Sequence, residues 1–129
     1  RRNYHKLGGI IMEAIEILKT AVSTMDAKKA VDIKAMKVDD ITILADYFVI
    51  ATGMSSTQVK ALADEVEFKL SQLGVEPLHV EGKSSGWILI DYGSVIIHVF
   101  YKNDREFYAL DHLWQDAEQI DISDMINIQ

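Results

Sequence analysis

Cysteine is absent from this sequence, which excludes disulfides, thiolate zinc sites and a cysteine nucleophile in one step. No apolar run approaches the roughly 18 residues that a bilayer requires, and no signal peptide with a cleavage site is visible. A membrane partner is therefore not expected, and a cytoplasmic location is. Positive charge is scarce: 13 Lys and Arg stand against 20 Asp and Glu, a formal net charge of −7. A protein that grips phosphates needs the opposite balance, because each contact is an ion pair that displaces counterions. Direct, sequence-specific nucleic-acid binding is disfavoured, and a basic protein is the better partner.

With 129 residues the chain suffices for one domain with a sizeable core and is too short to argue for two. The opening stretch RRNYHKLGG is basic and polar and ends in two glycines. Residues 1–11 are read as an expression-tag remnant, residues 12–117 as the single domain, and residues 118–129 as a tail, extended or disordered.

Ile11, Ile15, Leu18, Val22 and Met25 recur at helical spacing and predict a first helix over 11–25. VDIKAMKV alternates as a half-buried strand, and DYFVIAT is an almost unbroken apolar strand that belongs in a sheet centre. In SSTQVKALADEVEFKLSQLG, Ser55 and Gln58 have capping-box spacing and Gly74 reads as the stop. The lone proline, Pro77, follows this helix and precedes a short strand around LHVEG. Two strands over 87–90 and 95–101 come next, then a helix with Phe107, Leu110 and Trp114 on one face. The order α-β-β-α-β-β-β-α describes a single-domain α/β (α+β) fold, a mixed sheet of about five strands flanked by helices.

Candidate catalytic groups are few. FVIATGMSST places a glycine and hydroxyl residues between a strand and a helix start, where anions bind. It lacks a Walker lysine and G-x-G-x-x-G spacing, and a glycine turn with a capping box accounts for it. Asp39-Asp40 and Glu65-Glu67 are the nearest carboxylate pairs, but neither is a D-x-D on a predicted strand, so no metal site is expected. The histidines, His5, His79, His98 and His112, lack metal-ligand spacing, and no G-x-S-x-G elbow surrounds any serine. His98, aligned on its strand with Ile96 and Phe100, reads as a hydrogen-bonded structural histidine. No nucleophile and no cofactor site are expected.

GWILIDYGSVIIHVF, residues 86–100, holds one aspartate in an oily run. If Asp91-Tyr92-Gly93 is a three-residue hairpin loop, Gly93 fills the left-handed bulge position and Ile90 pairs with Ser94. Trp87, Leu89, Val95, Ile97, Val99 and Tyr101 then share one face, and Ile88, Ile90, Ile96, His98 and Phe100 the other. Asp91 becomes a turn residue whose side chain serves local N–H groups. Because both faces are apolar, either helices cover both sides or part of the ribbon is a sticky patch. Trp87, after the KSSG loop, and Tyr92, at the hairpin tip, are expected to be partly exposed and to anchor a partner.

Three blocks, DYFVIATGMSSTQVKALAD, EGKSSGWILIDYGSVIIHVF and REFYALDHLWQDA, together resemble the Iojap family, also called ribosomal silencing factor S. The resemblance runs from about Met12 to Ser123. It implies a nucleotidyltransferase-like fold without catalytic carboxylates, and a non-enzymatic protein that binds the large ribosomal subunit through its protein L-fourteen. Bound there, such a protein obstructs subunit joining and lowers translation when nutrients are scarce. By motif, the family's interface carries over to Trp87, to the turn residues Asp91, Tyr92 and Gly93, to His98 and Phe100, and to Tyr108, Leu110, Leu113 and Trp114. Two alternatives stand beside it: a nucleotide-binding or nucleotidyltransferase-like enzyme using the Gly53–Ser56 helix start, and a homodimer formed through the same ribbon.

Overall fold

The structure is a computed structural model that describes residues 4–7, 10–83, 85–102, 104 and 111–126. The chain runs β1 (Tyr4–Leu7), β2 (Ile10–Glu13), α1 (Ala14–Ala27), β3 (Val31–Lys37), β4 (Tyr47–Gly53) and α2 (Ser56–Gln72). It continues through β5 (His79–Glu81), β6 (Trp87–Asp91), β7 (Val95–Tyr101), α3 (Asp111–Asp116) and β8 (Glu118–Ile120). β1 and β2 pair as a separate antiparallel hairpin. The other strands form one sheet in the order β5-β6-β7-β4-β3-β8, with β4 and β7 parallel and every other neighbour antiparallel. The mixed sheet flanked by helices is the expected fold class, and β8 takes it one strand beyond the expected five.

β4 and β7 sit at the centre because they are apolar on both faces, and the sheet buries nearly all of both. One face packs against α1 and α2: Ile17, Leu18, Val22, Leu62, Val66 and Leu70 meet Val49, Ala51, Ile88, Ile90, Ile97 and Val99. The opposite face carries Met36, Val38, Ala45, Phe48, Ile50, Ile96 and Phe100, with Leu113 of α3 and Ala117 packed on it. Helices on both sides thus account for most of the oil that the ribbon presented.

The first helix begins at Ala14 rather than residue 11, because Ile10–Glu13 is extended against Tyr4–Leu7. At α2 the expected Ser55 cap forms, its hydroxyl accepting from the Gln58 N–H at 3.0 Å, while Gln58 Oε1 reaches back to the Met54 N–H at 2.6 Å, one residue before the N–H a capping box would use. The other end of α2 closes in a Schellman motif, with Gly74 N–H donating to Ser71 O and Val75 N–H to Leu70 O. The tail does not stay apart from the domain. β8 pairs with β3, the Ser23 hydroxyl donates to Met125 O at 2.9 Å, and Ile122, Met125 and Ile126 pack on the α1 side of the core.

Candidate partner-binding face

The β6–β7 hairpin closes more tightly than a three-residue loop allows. Trp87 lies opposite Phe100, Leu89 opposite His98, and Asp91 opposite Ile96, and the Tyr92 N–H donates to Val95 O at 2.9 Å. The connection is therefore the pair Gly93-Ser94, with Gly93 at φ 84° supplying the positive φ of a primed turn. The expected pairing of Ile90 with Ser94 is corrected by this register. A loop one residue shorter transfers every β7 side chain to the other face relative to β6. Trp87 and Leu89 consequently share a face with Ile96, His98 and Phe100, while Val95, Ile97 and Val99 join Ile88 and Ile90 on the helical side.

That transfer builds an aromatic cluster around Trp87. Its indole stacks on Phe100, ring centroids 5.2 Å apart at 25°, and Phe48 meets His98 edge-on at 4.8 Å. The indole Nε1–H donates to His98 Nδ1 at 3.1 Å. Burial pushes the His98 pKa down to about 3, so the ring is neutral at physiological pH. With Nδ1 accepting, the proton resides on Nε2. His98 and Phe100 are buried, at 3% and 0% exposure, and they support Trp87, which is only half-buried.

Asp91 is not the loop residue expected but the last residue of β6, paired with Ile96 and His79; its side chain still serves the turn, Oδ1 accepting from the Gly93 N–H at 2.7 Å. Its Oδ2 lies 3.6 Å from Nδ1 of His79 on the edge strand β5, whose Nε2 is 2.8 Å from Glu81. Tyr92 departs from expectation. It is completely buried, on the face covered by α1 and α2. It follows Asp91, so strand alternation turns it into the core, away from the Trp87 face. Burial also raises its phenol pKa. Tyr108, Leu110 and the Trp114 side chain lie outside the described residues. Leu89 was not among the sequence-predicted site residues; two residues from Trp87 on the same strand, it is half-buried and continues the apolar stripe. Parity with Trp87 was the available signal.

The α2 start borders a cleft of about 470 Å³ lined by Ser56, Thr57, Lys60, Lys83, Ser85 and Asp104, among others. Its lysine at position 83 is committed elsewhere, 3.1 Å from Asp64 and 2.8 Å from Glu67. Gly53 is there for close packing: a Cβ on it would stand 2.7 Å from the Val59 side chain and 2.9 Å from the Val59 nitrogen. Among the described residues no group of three or more His, Asp or Glu side chains is placed to hold a metal. No described helix is long and apolar enough to cross a membrane.

The family model described as "Ribosomal silencing factor during starvation" matches residues 11–129. The chain belongs to the ribosomal silencing factor (RsfS) family. RsfS of Halalkalibacterium halodurans is 38% identical over 113 residues, covering 87% of this chain and 97% of that one. RsfS of Bacillus subtilis is 39% identical over 112 residues, covering 86% and 95%. Among solved structures, a Chromobacterium violaceum protein at 38% identity superposes with a TM-score of 0.77, covering 81% of this chain and 88% of that one. RsfS membership accounts for the block pattern recognised in the sequence, and residues 1–10 fall outside the matched region.

Proposed function

We propose that this RsfS-family chain binds the large ribosomal subunit through ribosomal protein L-fourteen and prevents subunit joining, lowering translation when nutrients are limited. The observation that carries this reading is the half-buried Trp87, locked by His98 and Phe100 and continued by Leu89, with acidic Asp91 and Glu81 alongside. A rigid aromatic with an apolar neighbour is what an interface anchor requires, and nearby carboxylates steer a basic partner. The net charge of −7 favours a basic ribosomal protein over bare RNA. Steric exclusion needs affinity and bulk only, so the function requires no nucleophile, metal or cofactor.

Co-sedimentation with separated ribosomal subunits tests the binding, and light scattering of subunit mixtures tests the block. The chain is expected to pellet with the large subunit and to reduce formation of the joined ribosome. Pelleting with the small subunit alone, or with neither, would refute the proposal.

A further inference from the structure

The loop between β3 and β4 shows two large apolar side chains to solvent, and it does so from an ordered frame. Ile43 is 90% exposed and Leu44 70%, with Ile41 at 43%. The loop's neck is closed by the Val38 N–H donating to Asp46 O at 2.8 Å, and Ile41 and Thr42 N–H groups both return to Val38 O at 2.9 Å. Thr42 Oγ1 accepts from the Leu44 N–H at 3.1 Å, and the N–H groups of Asp46 and Tyr47 both reach Ser94 O on the β6–β7 turn. Val38 and Ala45, on either side of the exposed pair, are fully buried. The side chains of Ile43 and Leu44 thus stand on a hydrogen-bonded loop fastened at both ends. An apolar pair held out in this way marks an interaction surface.

Two features identify the occupant. Val38 and Ala45 belong to the same hydrophobic cluster as Phe48, Ile96 and Phe100, against which Trp87 and Leu89 pack, so the loop rises from the Trp87 face of the sheet. Trp87 and the loop lie toward opposite ends of strands at most seven residues long, about 20 Å apart along the sheet. A partner covering the usual ~800 Å² reaches about 30 Å across and spans both. The charge around the loop has one sign in excess: Lys37 is 3.7 Å from Asp39 and paired in register with Glu118, with Asp40 beside them. The field of Asp39 and then of Glu118 holds the Lys37 ammonium protonated above its usual range.

We propose that the Ile43–Leu44 tip is a second anchor for the same basic protein surface that receives Trp87, seated in an apolar depression with Asp39 and Asp40 facing its cations. The inference rests on the large-subunit reading above. Titration of purified large subunits with the full chain and two double variants tests it. Ile43→Ser/Leu44→Ser should weaken binding at least tenfold while leaving the thermal midpoint unchanged, since both side chains are already in water. Asp39→Asn/Asp40→Asn should slow association and reduce its dependence on salt. If the wild-type chain binds and the Ile43→Ser/Leu44→Ser variant binds equally well, the second anchor is wrong and the large-subunit reading stands. An unchanged salt dependence in the Asp39→Asn/Asp40→Asn variant would remove the cationic partner surface from the proposal. Failure of the wild-type chain to bind would sink the parent reading and this one together.

Discussion

The indole N–H of Trp87 donates to Nδ1 of His98 across the β6–β7 pair at 3.1 Å, joining a half-exposed aromatic to a buried one. This bond, with the Phe100 stack beneath it, presets the indole orientation before any partner arrives. Preset side chains lose less rotamer freedom on binding, and for that reason rigid aromatics dominate interface energetics.

Trp87→Ala should therefore cost roughly 2 kcal/mol of binding to large subunits, about a thirtyfold loss in affinity. The fold should persist by circular dichroism. Unchanged affinity would rule out Trp87 as an anchor.

Tyr92→Ala should behave in the opposite way. Truncating a fully buried aromatic leaves a cavity between the sheet and α1–α2 and costs about 3–5 kcal/mol of stability. Chemical denaturation measures that loss directly. A variant as stable as the parent but defective in binding would return Tyr92 to the partner surface.

His98 makes stability depend on pH in a defined window. Its folded-state pKa is about 3, whereas the unfolded imidazole titrates near 6.5. Between those values the unfolded chain binds a proton that the folded chain refuses, so stability falls as pH drops below about 6.5. The loss attributable to His98 should reach about 2 kcal/mol by pH 5. In denaturation curves at pH 7 and pH 5, His98→Phe should lose correspondingly less than the parent. Equal losses would show that His98 is not buried as a neutral ring.

Gln58 links two helices. Besides accepting from the Met54 N–H, its Nε2 donates to the carbonyls of Lys28 at 3.2 Å and Lys29 at 3.1 Å, at the end of α1. Gln58→Ala should cost about 1–2 kcal/mol and lower the melting temperature by ~5 °C. Gln58→Glu keeps the acceptor but loses the donor, and it too should melt early. Wild-type melting of Gln58→Glu would confine the residue to local capping.

Local pattern was sufficient for much of this protein. The apolar stripe of α2, its Ser55 cap and its stop at Gly74 lie within one stretch of chain, and the structure follows them. The unbroken oil of DYFVIAT placed β4 in the sheet centre because only a doubly covered strand tolerates it. The block spacing was enough to identify the family, and the bond from the Asp91 side chain to a turn N–H was legible from the glycine two positions on, although Asp91 itself lies in β6.

Tertiary structure alone decided which side chains meet. Residues 87–101 are apolar on both faces, so alternation could not choose between a two-residue and a three-residue turn. That choice sets the parity of β7 relative to β6, and with it whether Trp87 neighbours His98 or Ile97. Gln58 carries its capping role in the local sequence, but its bonds to Lys28 and Lys29 join residues about thirty positions apart. Nor does the string DITILAD distinguish buried from exposed: Ala45 is buried and Leu44 mostly in water because the loop's neck and the β6–β7 turn hold it so. Sequence determined the central elements and the family, whereas β2, β8 and the partners of Trp87, Tyr92 and Gln58 depended on long-range pairing that no short window encodes.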